Sequence, residues 1–153
     1  MSPAWVALGA NLGDPRATLA RALRWLGAMP GTRLERVSSF HRTAPVGPPQ
    51  ADFLNAVARL RTSLSPPALL EALQTLERAA GRRRATRWGP RTLDLDLLLM
   101  GVDGRRDVRT AELELPHPRL HERRFVLAPL AELDPDLRLA TGLTVAEQLA
   151  LTG

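Results

Sequence analysis

The chain has no cysteine, lysine, isoleucine or tyrosine among its 153 residues, and only 4% of its residues are aromatic. The missing cysteines exclude a disulfide framework and a thiolate zinc site. A P-loop uses a lysine to contact the β- and γ-phosphates, so any nucleotide chemistry in this chain needs another scaffold. No apolar run approaches the roughly 20 residues that span a bilayer, so we expect no association with a membrane.

The charge of the chain is strongly basic, and arginine supplies all of the basic residues. The 21 arginines and 16 acidic residues leave a net charge of +5. The hydrophobic fraction of 44% and the charged fraction of 24% are typical of a soluble globular protein. The length predicts one domain over residues 1–153, and a start without a charged n-region predicts no signal peptide and a cytoplasmic location.

Hydrophobic periodicity and turn residues divide the chain into strands and helices. One helix is expected to begin at Pro15, with Asp14 as its cap, and a second at Pro66. A short apolar strand is predicted at 5–8, and longer strands at 34–42, 53–62 and in the run 91–99. After a hairpin turn at 101–104 come short strands at 113–115 and 125–127, and a closing helix at 144–151. The order β-α-β-β-α-β predicts an α+β fold: a ferredoxin-like split antiparallel sheet with helices packed on it and a C-terminal extension.

A pair of carboxylates, Asp94 and Asp96, stands in the last of the longer strands. Leucines at 93, 95, 97 and 99 alternate with other residues, which predicts a strand with one leucine face. Side chains at i and i+2 share a face, so the two carboxylates converge at roughly 6–7 Å along the backbone. Two carboxylates this close repel each other, and Mg²⁺ would remove that penalty because it prefers oxygen ligands.

Five arginines precede the acidic strand within ten residues, at positions 82, 83, 84, 87 and 91. Arginine neutralises phosphate oxygens, and a metal bridges those oxygens to carboxylates. The segment therefore predicts a metal–polyphosphate site. The alternative for a single Asp-x-Asp motif is the solvent-exposed face of an edge strand, and the neighbouring arginines favour the site.

The arginine-rich segment and the acidic strand that follows it resemble the family of 6-hydroxymethyl-7,8-dihydropterin pyrophosphokinases, which act in folate biosynthesis. The strongest match is the run RWGPRTLDLD at 87–96, and further matches lie at 8–13, 39–43, 53–56, 81–84, 116–119 and 123–125. The resemblance covers nearly the whole chain. It implies transfer of the β,γ-diphosphate of ATP to the pterin hydroxymethyl group with two Mg²⁺ ions, and release of AMP.

The resemblance also implies a role for individual residues. The metal ligands would be Asp94 and Asp96, and the catalytic group would also include Arg82, Arg84 and Arg91. The ATP-binding residues would be Gln74, Glu77, Arg84, Arg91, Leu97, His117 and Arg123. The pterin-binding residues would be Thr43, Ala44, Val46, Phe53, Asn55, Trp88 and Phe125, with the two phenylalanines stacking on the ring and Asn55 contacting its polar edge.

Two other functions are compatible with parts of the pattern. The split fold also occurs in RNA-binding modules, and the chain is rich in arginine, but the sheet lacks the interleaved aromatic residues that stack on bases. Another Mg²⁺-dependent phosphoryl or nucleotidyl transferase is the second alternative, and only the resemblance favours a pterin acceptor over others. The expected partners are ATP and 6-hydroxymethyl-7,8-dihydropterin, with no nucleic acid, and the expected state is a monomer.

Overall fold

An antiparallel sheet forms the centre of the structure, which is a computed structural model that describes residues 1–45, 47, 49–81 and 93–153. Its strands are β1 (Ser2–Ala10), β2 (Thr32–Val37), β3 (His41–Thr43), β4 (Phe53–Thr62) and β5 (Asp94–Met100). The strand order is β2-β4-β1-β5, and β3 also pairs with β4. All of these pairs are antiparallel, and β1 lies between β4 and β5.

Four helices cover the two faces of this sheet. Helices α1 (Pro15–Ala28) and α2 (Pro66–Ala79) pack on one face, and α3 (Arg124–Leu133) and α4 (Val145–Leu151) belong to the other. A two-stranded ribbon of β6 (Val108–Arg109) and β7 (Glu114–Leu115) follows β5. Alternate residues of β1 point to the two hydrophobic clusters, as strand geometry requires. In the part of the chain that the structure describes, no helix is long and apolar enough to cross a membrane.

Helix starts follow the local chemistry of the sequence. Asp14 accepts the N–H of Ala17 at 3.1 Å, which confirms the predicted cap. Ser65 accepts the N–H of Ala68 at 3.3 Å and caps the second helix in the same way. In both helices a proline stands at the first helical position, where no N–H is needed. The closing helix predicted at 144–151 is also confirmed, with Thr144 as its cap.

The structure corrects the predicted strand at 34–42, which is interrupted between β2 and β3. Ser38 still lies along β4, because its N–H donates to the carbonyl of Val57 at 2.9 Å. The returning bond, however, runs from the N–H of Val57 to the hydroxyl of Ser38. A side chain therefore replaces a backbone carbonyl in the ladder, and the regular strand ends at Val37.

Three further predictions were wrong in detail. The apolar run 125–127 lies in α3 rather than in a strand, since a short apolar segment fits a buried helix equally well. Residues Val102–Gly104 form a 3₁₀ turn, and the next strand pairs with β7 instead of returning along β5. A bulge in the β1–β5 register places Leu99 beside Leu98 in the cluster of α3, away from the other alternating leucines.

Candidate active site

The two predicted metal ligands lie on β5, on the face of the sheet that α3 covers. Asp94 pairs with Gly9 of β1, and Asp96 pairs with Ala7. Both carboxylates are half-buried, while Leu95 between them points into the opposite core with α1 and α2. The structure thus brings the acidic pair to one face, as the two-residue spacing predicts. The described residues contain no group of three or more His, Cys, Asp or Glu residues that could hold a metal by themselves. Mg²⁺ commonly binds one or two carboxylates together with the phosphate oxygens of a substrate, and this pair would suit that arrangement.

Two residues from the segment after β7 reach this acidic strand. The Nη1 of Arg123 lies 3.6 Å from Oδ2 of Asp96, and the backbone N–H of His117 donates to the carbonyl of Leu98 at 2.9 Å. The structure therefore places His117 and Arg123, both predicted to contact ATP, beside the candidate metal ligands. No local sequence pattern predicts that these two residues lie near β5, because about 20 residues separate them from it along the chain.

The ring of His117 is held in one orientation, and its burial disfavours the charged form. Its Nδ1 accepts the backbone N–H of Arg119 at 3.1 Å, so the ring proton of the neutral imidazole is assigned to Nε2. Burial lowers the pKa of His117; Asp96 opposes this shift, while Arg123 and Arg119 reinforce it. A neutral imidazole with its Nε2–H available is a hydrogen-bond donor suited to a phosphate oxygen.

A row of three residues in register runs across the sheet next to the acidic pair. Gly9 of β1 pairs with Asn55 of β4 on one side and with Asp94 of β5 on the other. A Cβ on Gly9 would lie 3.1 Å from Oδ1 of Asn55. Because Gly9 has no side chain, no β1 side chain stands between Asn55 and Asp94 at this point of the face, and we call this gap the groove. The backbones of Asn55 and Asp94 are two strand spacings, or about 10 Å, apart. Sequence reasoning missed this role of Gly9, because only the strand register reveals it.

The predicted pterin residues lie at the same end of the sheet. Asn55 is 7% exposed, and its Nδ2–H donates to Oγ1 of Thr43 at 2.7 Å. Phe53 pairs with Thr43, and Phe125 is 41% exposed in the first turn of α3. Ala44 is exposed just after β3. A flat heterocycle with a polar edge requires an accessible aromatic ring and a polar group held in place, and Phe125 and Asn55 are residues of these two kinds.

Arg123 connects the two parts of the site. Its guanidinium carbon lies 5.8 Å from the ring centroid of Phe125, within the range of a cation–π contact, and the same group faces Asp96. One side chain thus contacts both the candidate metal site and the candidate pterin wall. This link depends on α3, which begins where the sequence pattern predicts a strand at 125–127.

The remaining predicted ATP residues have different surroundings. Gln74 is exposed on α2, whereas Glu77, one turn later, is 7% exposed and accepts the N–H of Leu95 at 2.8 Å. The side chain of Leu97 lies in the core with α1 and α2, so a nucleotide contact at this position has to use the backbone. Five predicted site residues lie outside the described residues: Val46, Arg82, Arg84, Trp88 and Arg91.

The fold brings a pair of carboxylates, an arginine and an exposed aromatic ring together at one end of the sheet, and these residues form a candidate site for a polyphosphate and a metal. The model of the family 7,8-dihydro-6-hydroxymethylpterin-pyrophosphokinase (HPPK) matches residues 5–135. A 2-amino-4-hydroxy-6-hydroxymethyldihydropteridine pyrophosphokinase of Pseudomonas aeruginosa is 48% identical over 95% of this chain and 89% of its own length. The protein of the same name from Synechocystis is 47% identical over 86% of this chain, which spans 66% of it. The chain belongs to the HPPK family.

Solved structures of longer proteins share the fold of this chain. A Plasmodium falciparum HPPK-DHPS structure matches 99% of this chain with a TM-score of 0.74 and 11% sequence identity. A second HPPK-DHPS structure, in complex with substrates, matches 98% of this chain with a TM-score of 0.75 and 11% identity. The chain spans 43% of the length of each, so these similarities concern one part of longer proteins.

Proposed function

We propose that this chain transfers the diphosphate of ATP to the hydroxymethyl group of 6-hydroxymethyl-7,8-dihydropterin in folate biosynthesis, giving AMP and the pterin diphosphate. The observation that carries the proposal is the row Asn55–Gly9–Asp94. It sets an amide for a heterocycle edge about 10 Å from a carboxylate for a metal. An alcohol attached to the ring would then extend along the groove toward the acidic pair.

The metal end of the site comprises Asp94 and Asp96, which would hold two Mg²⁺ ions with the triphosphate. Bound Mg²⁺ would act as a Lewis acid on the phosphoryl oxygens and would favour the ionised form of the attacking hydroxyl. The two aspartates would fix that charge on the α3 face of β5. Arg123, at 3.6 Å from Asp96, would supply positive charge beside the transferred group.

The nucleotide end would use His117 as a neutral donor, since Nδ1 is occupied by the N–H of Arg119. Gln74, Glu77 and the backbone of Leu97 remain assigned to the nucleotide side by resemblance. The same resemblance assigns Arg82, Arg84 and Arg91 to the triphosphate.

The pterin end would place the ring between Phe53 and Phe125. Asn55 would contact the polar edge of the ring, and the hydrogen bond to Thr43 would hold its amide in place. The neighbouring groups assigned to this end by resemblance are Ala44, Val46 and Trp88.

The finer features of the fold and the cellular setting complete the proposal. The antiparallel order β2-β4-β1-β5, with α1 and α2 on one face, supports a ferredoxin-like split fold with a C-terminal extension that forms α3 and α4. We assign residues 1–153 to one pyrophosphokinase domain that acts as a cytoplasmic monomer.

Phosphorus NMR of the complete reaction tests the proposed function. Purified protein with ATP, Mg²⁺ and 6-hydroxymethyl-7,8-dihydropterin should form AMP and a pterin diphosphate in equal amounts. Formation of ADP with a pterin monophosphate would show transfer of the γ-phosphate instead and would contradict the proposal. Formation of neither product would contradict it as well. Titration with single-stranded RNA at several salt concentrations serves as the control for a nucleic-acid-binding module.

A further inference from the structure

Glu77 of α2 forms a hydrogen bond with the backbone of β5. It lies in the last turn of α2 and is 7% exposed, which is rare for a carboxylate. Its Oε2 accepts the backbone N–H of Leu95 at 2.8 Å. This bond joins a helix on one face of the sheet to the backbone of β5, in the single residue between the two candidate metal ligands.

The position of Leu95 explains why this bond matters for the acidic pair. In the described part of the chain β5 pairs with β1 and with no other strand. The N–H of Leu95 points away from β1, because Oε2 of Glu77 accepts it. Successive residues of a strand direct their backbone groups to opposite edges. Asp94 and Asp96 are therefore held through β1, and Leu95 between them is held through Glu77.

The side chain of Glu77 is directed differently from those of the two aspartates. Glu77 belongs to the helix that packs on the core containing Leu95, whereas Asp94 and Asp96 point to the α3 face. The bond thus fixes the backbone between the metal ligands from behind.

We infer that Glu77 is a positioning residue, which sets the spacing of Asp94 and Asp96 for Mg²⁺ by holding the N–H of Leu95. This inference rests on the proposed function and assigns to Glu77 a role other than direct contact with ATP. Residues that orient metal ligands in this way typically change metal affinity by about 10–100-fold when they are removed. What matters is the reach of the acceptor atom to Leu95 rather than the charge of the side chain.

Two substitutions separate reach from charge. Glu77→Gln keeps an oxygen at the same distance along the side chain and removes the charge. Glu77→Asp keeps the charge and withdraws the acceptor by one methylene. Glu71→Ala is the matched control, because Glu71 is exposed on the same helix.

Three measurements on each variant test the inference. Hydrogen exchange of the Leu95 amide in the ligand-free protein reports the bond itself. Calorimetry with a non-hydrolysable ATP analogue at increasing Mg²⁺ gives the half-saturating Mg²⁺ concentration without turnover. Steady-state kinetics give kcat and the KM for the pterin.

We expect Glu77→Asp to speed exchange at Leu95, to raise the half-saturating Mg²⁺ about tenfold or more and to lower kcat, with the pterin KM unchanged. Glu71→Ala should stay within about threefold of the wild type in half-saturating Mg²⁺, because Glu71 is exposed and makes no contact with Leu95. Glu77→Gln, which keeps an oxygen at the same reach, should be impaired much less than Glu77→Asp. A Gln variant as impaired as the Asp variant would overturn the inference, because the charge would then be what acts. An Asp variant that folds and binds Mg²⁺ like the wild type would also overturn it. If the wild type itself shows no Mg²⁺-dependent binding of the analogue, the proposed function fails, and the inference fails with it.

Discussion

Asp134 and Asp96 lie on the same face of the sheet, and their surroundings are opposite. Asp134 accepts the indole N–H of Trp5 at 2.8 Å and two hydrogen bonds from Nη1 of Arg59, at 2.8 and 3.0 Å. Asp96 faces Arg123 at 3.6 Å, longer than a hydrogen bond, and its side chain is 45% exposed. One carboxylate is thus enclosed by donors of its own chain, and the other is open to a ligand.

The network around Asp134 extends to the far edge of the sheet. Arg59 also donates from Nε to Glu35 at 3.2 Å, and Arg61 donates to the same carboxylate at 2.9 Å. These bonds join β2, β4 and the end of α3. The comparison shows two uses of a carboxylate in this chain. Asp134 is fully hydrogen-bonded and ties α3 to the sheet, whereas Asp96 has only a distant arginine and lies where the proposed chemistry occurs.

The largest expected effect comes from removing the charge at the open carboxylate. Asp96→Asn should lower kcat at saturating Mg²⁺ by about 100-fold or more, since a metal clamp is worth several kcal/mol in the transition state. The free energy of unfolding should be equal or higher, because repulsion with Asp94 is relieved. Kinetics and chemical denaturation check the two parts. Asp107→Asn, at an exposed aspartate, is the control, and near-wild-type turnover of Asp96→Asn would refute the metal assignment.

For the enclosed carboxylate, Asp134, we expect substitution to lower the stability of the fold and to leave turnover nearly unchanged. Asp134→Asn leaves one donor without its charged acceptor and should lower the free energy of unfolding by about 1–3 kcal/mol. Turnover at 25 °C should change little, because Asp134 lies in the structural network and outside the proposed site. Urea denaturation measures the loss, with exposed Asp136→Asn as the control on the same loop. If kcat fell as far as in Asp96→Asn, the contrast between the two carboxylates would be wrong.

A smaller effect is expected at the glycine that separates the pterin and metal ends. Gly9→Ala places a methyl group 3.1 Å from Oδ1 of Asn55, so the amide has to shift. We expect pterin affinity to fall about tenfold, which corresponds to about 1.4 kcal/mol, with binding of the ATP analogue less affected. Calorimetry with each ligand measures both values. Gly27→Ala in α1 is the control, because its new methyl group would make only an ordinary van der Waals contact, at 3.6 Å from Cβ of Leu34. Equal losses for the two ligands would mean that the substitution disturbs the sheet as a whole.

Most of the central fold could be predicted because its signals are local. The strand predicted at 53–62 has the observed bounds of β4, and the helices after Asp14 and Ser65 begin where a cap precedes a proline. The bulge in β5 could not be predicted, since the run from Leu97 to Met100 contains no polar residue to mark the register. The helix that begins at Arg124 was missed for a related reason: a short apolar run carries no period of its own.

The candidate site was predictable only in part, for a physical reason. The pairing of Asp94 with Asp96 follows from a spacing of two residues in a strand. The groove at Gly9, the bond from Glu77 to Leu95 and the contact of Trp5 with Asp134 all depend on which strands and helices become neighbours. The last of these joins residues 129 positions apart, and no local pattern announces it.

The smallest effect concerns a third carboxylate, Glu132 of α3, which is enclosed by donors but lies at the surface. It accepts the N–H of Ser39 at 2.9 Å and the hydroxyl of Ser39 at 2.8 Å, and it pairs with the ring of His41. Burial acts to raise the pKa of Glu132, but the bonds from Ser39 and His41 outweigh it, and the pKa is lowered.

A carboxyl with a lowered pKa in the folded state stabilises the protein above its unfolded pKa, and this contribution is lost as the pH falls through the folded pKa. Glu132→Gln should therefore cost at most about 1 kcal/mol at neutral pH, the range of exposed ion pairs. The difference from the wild type should shrink as the pH falls from about 6 to about 3. Denaturation at a series of pH values measures it, with exposed Glu122→Gln as the control. A difference that stays constant across this pH range would contradict the prediction, because the ionised form of Glu132 would then contribute nothing to the free energy of unfolding.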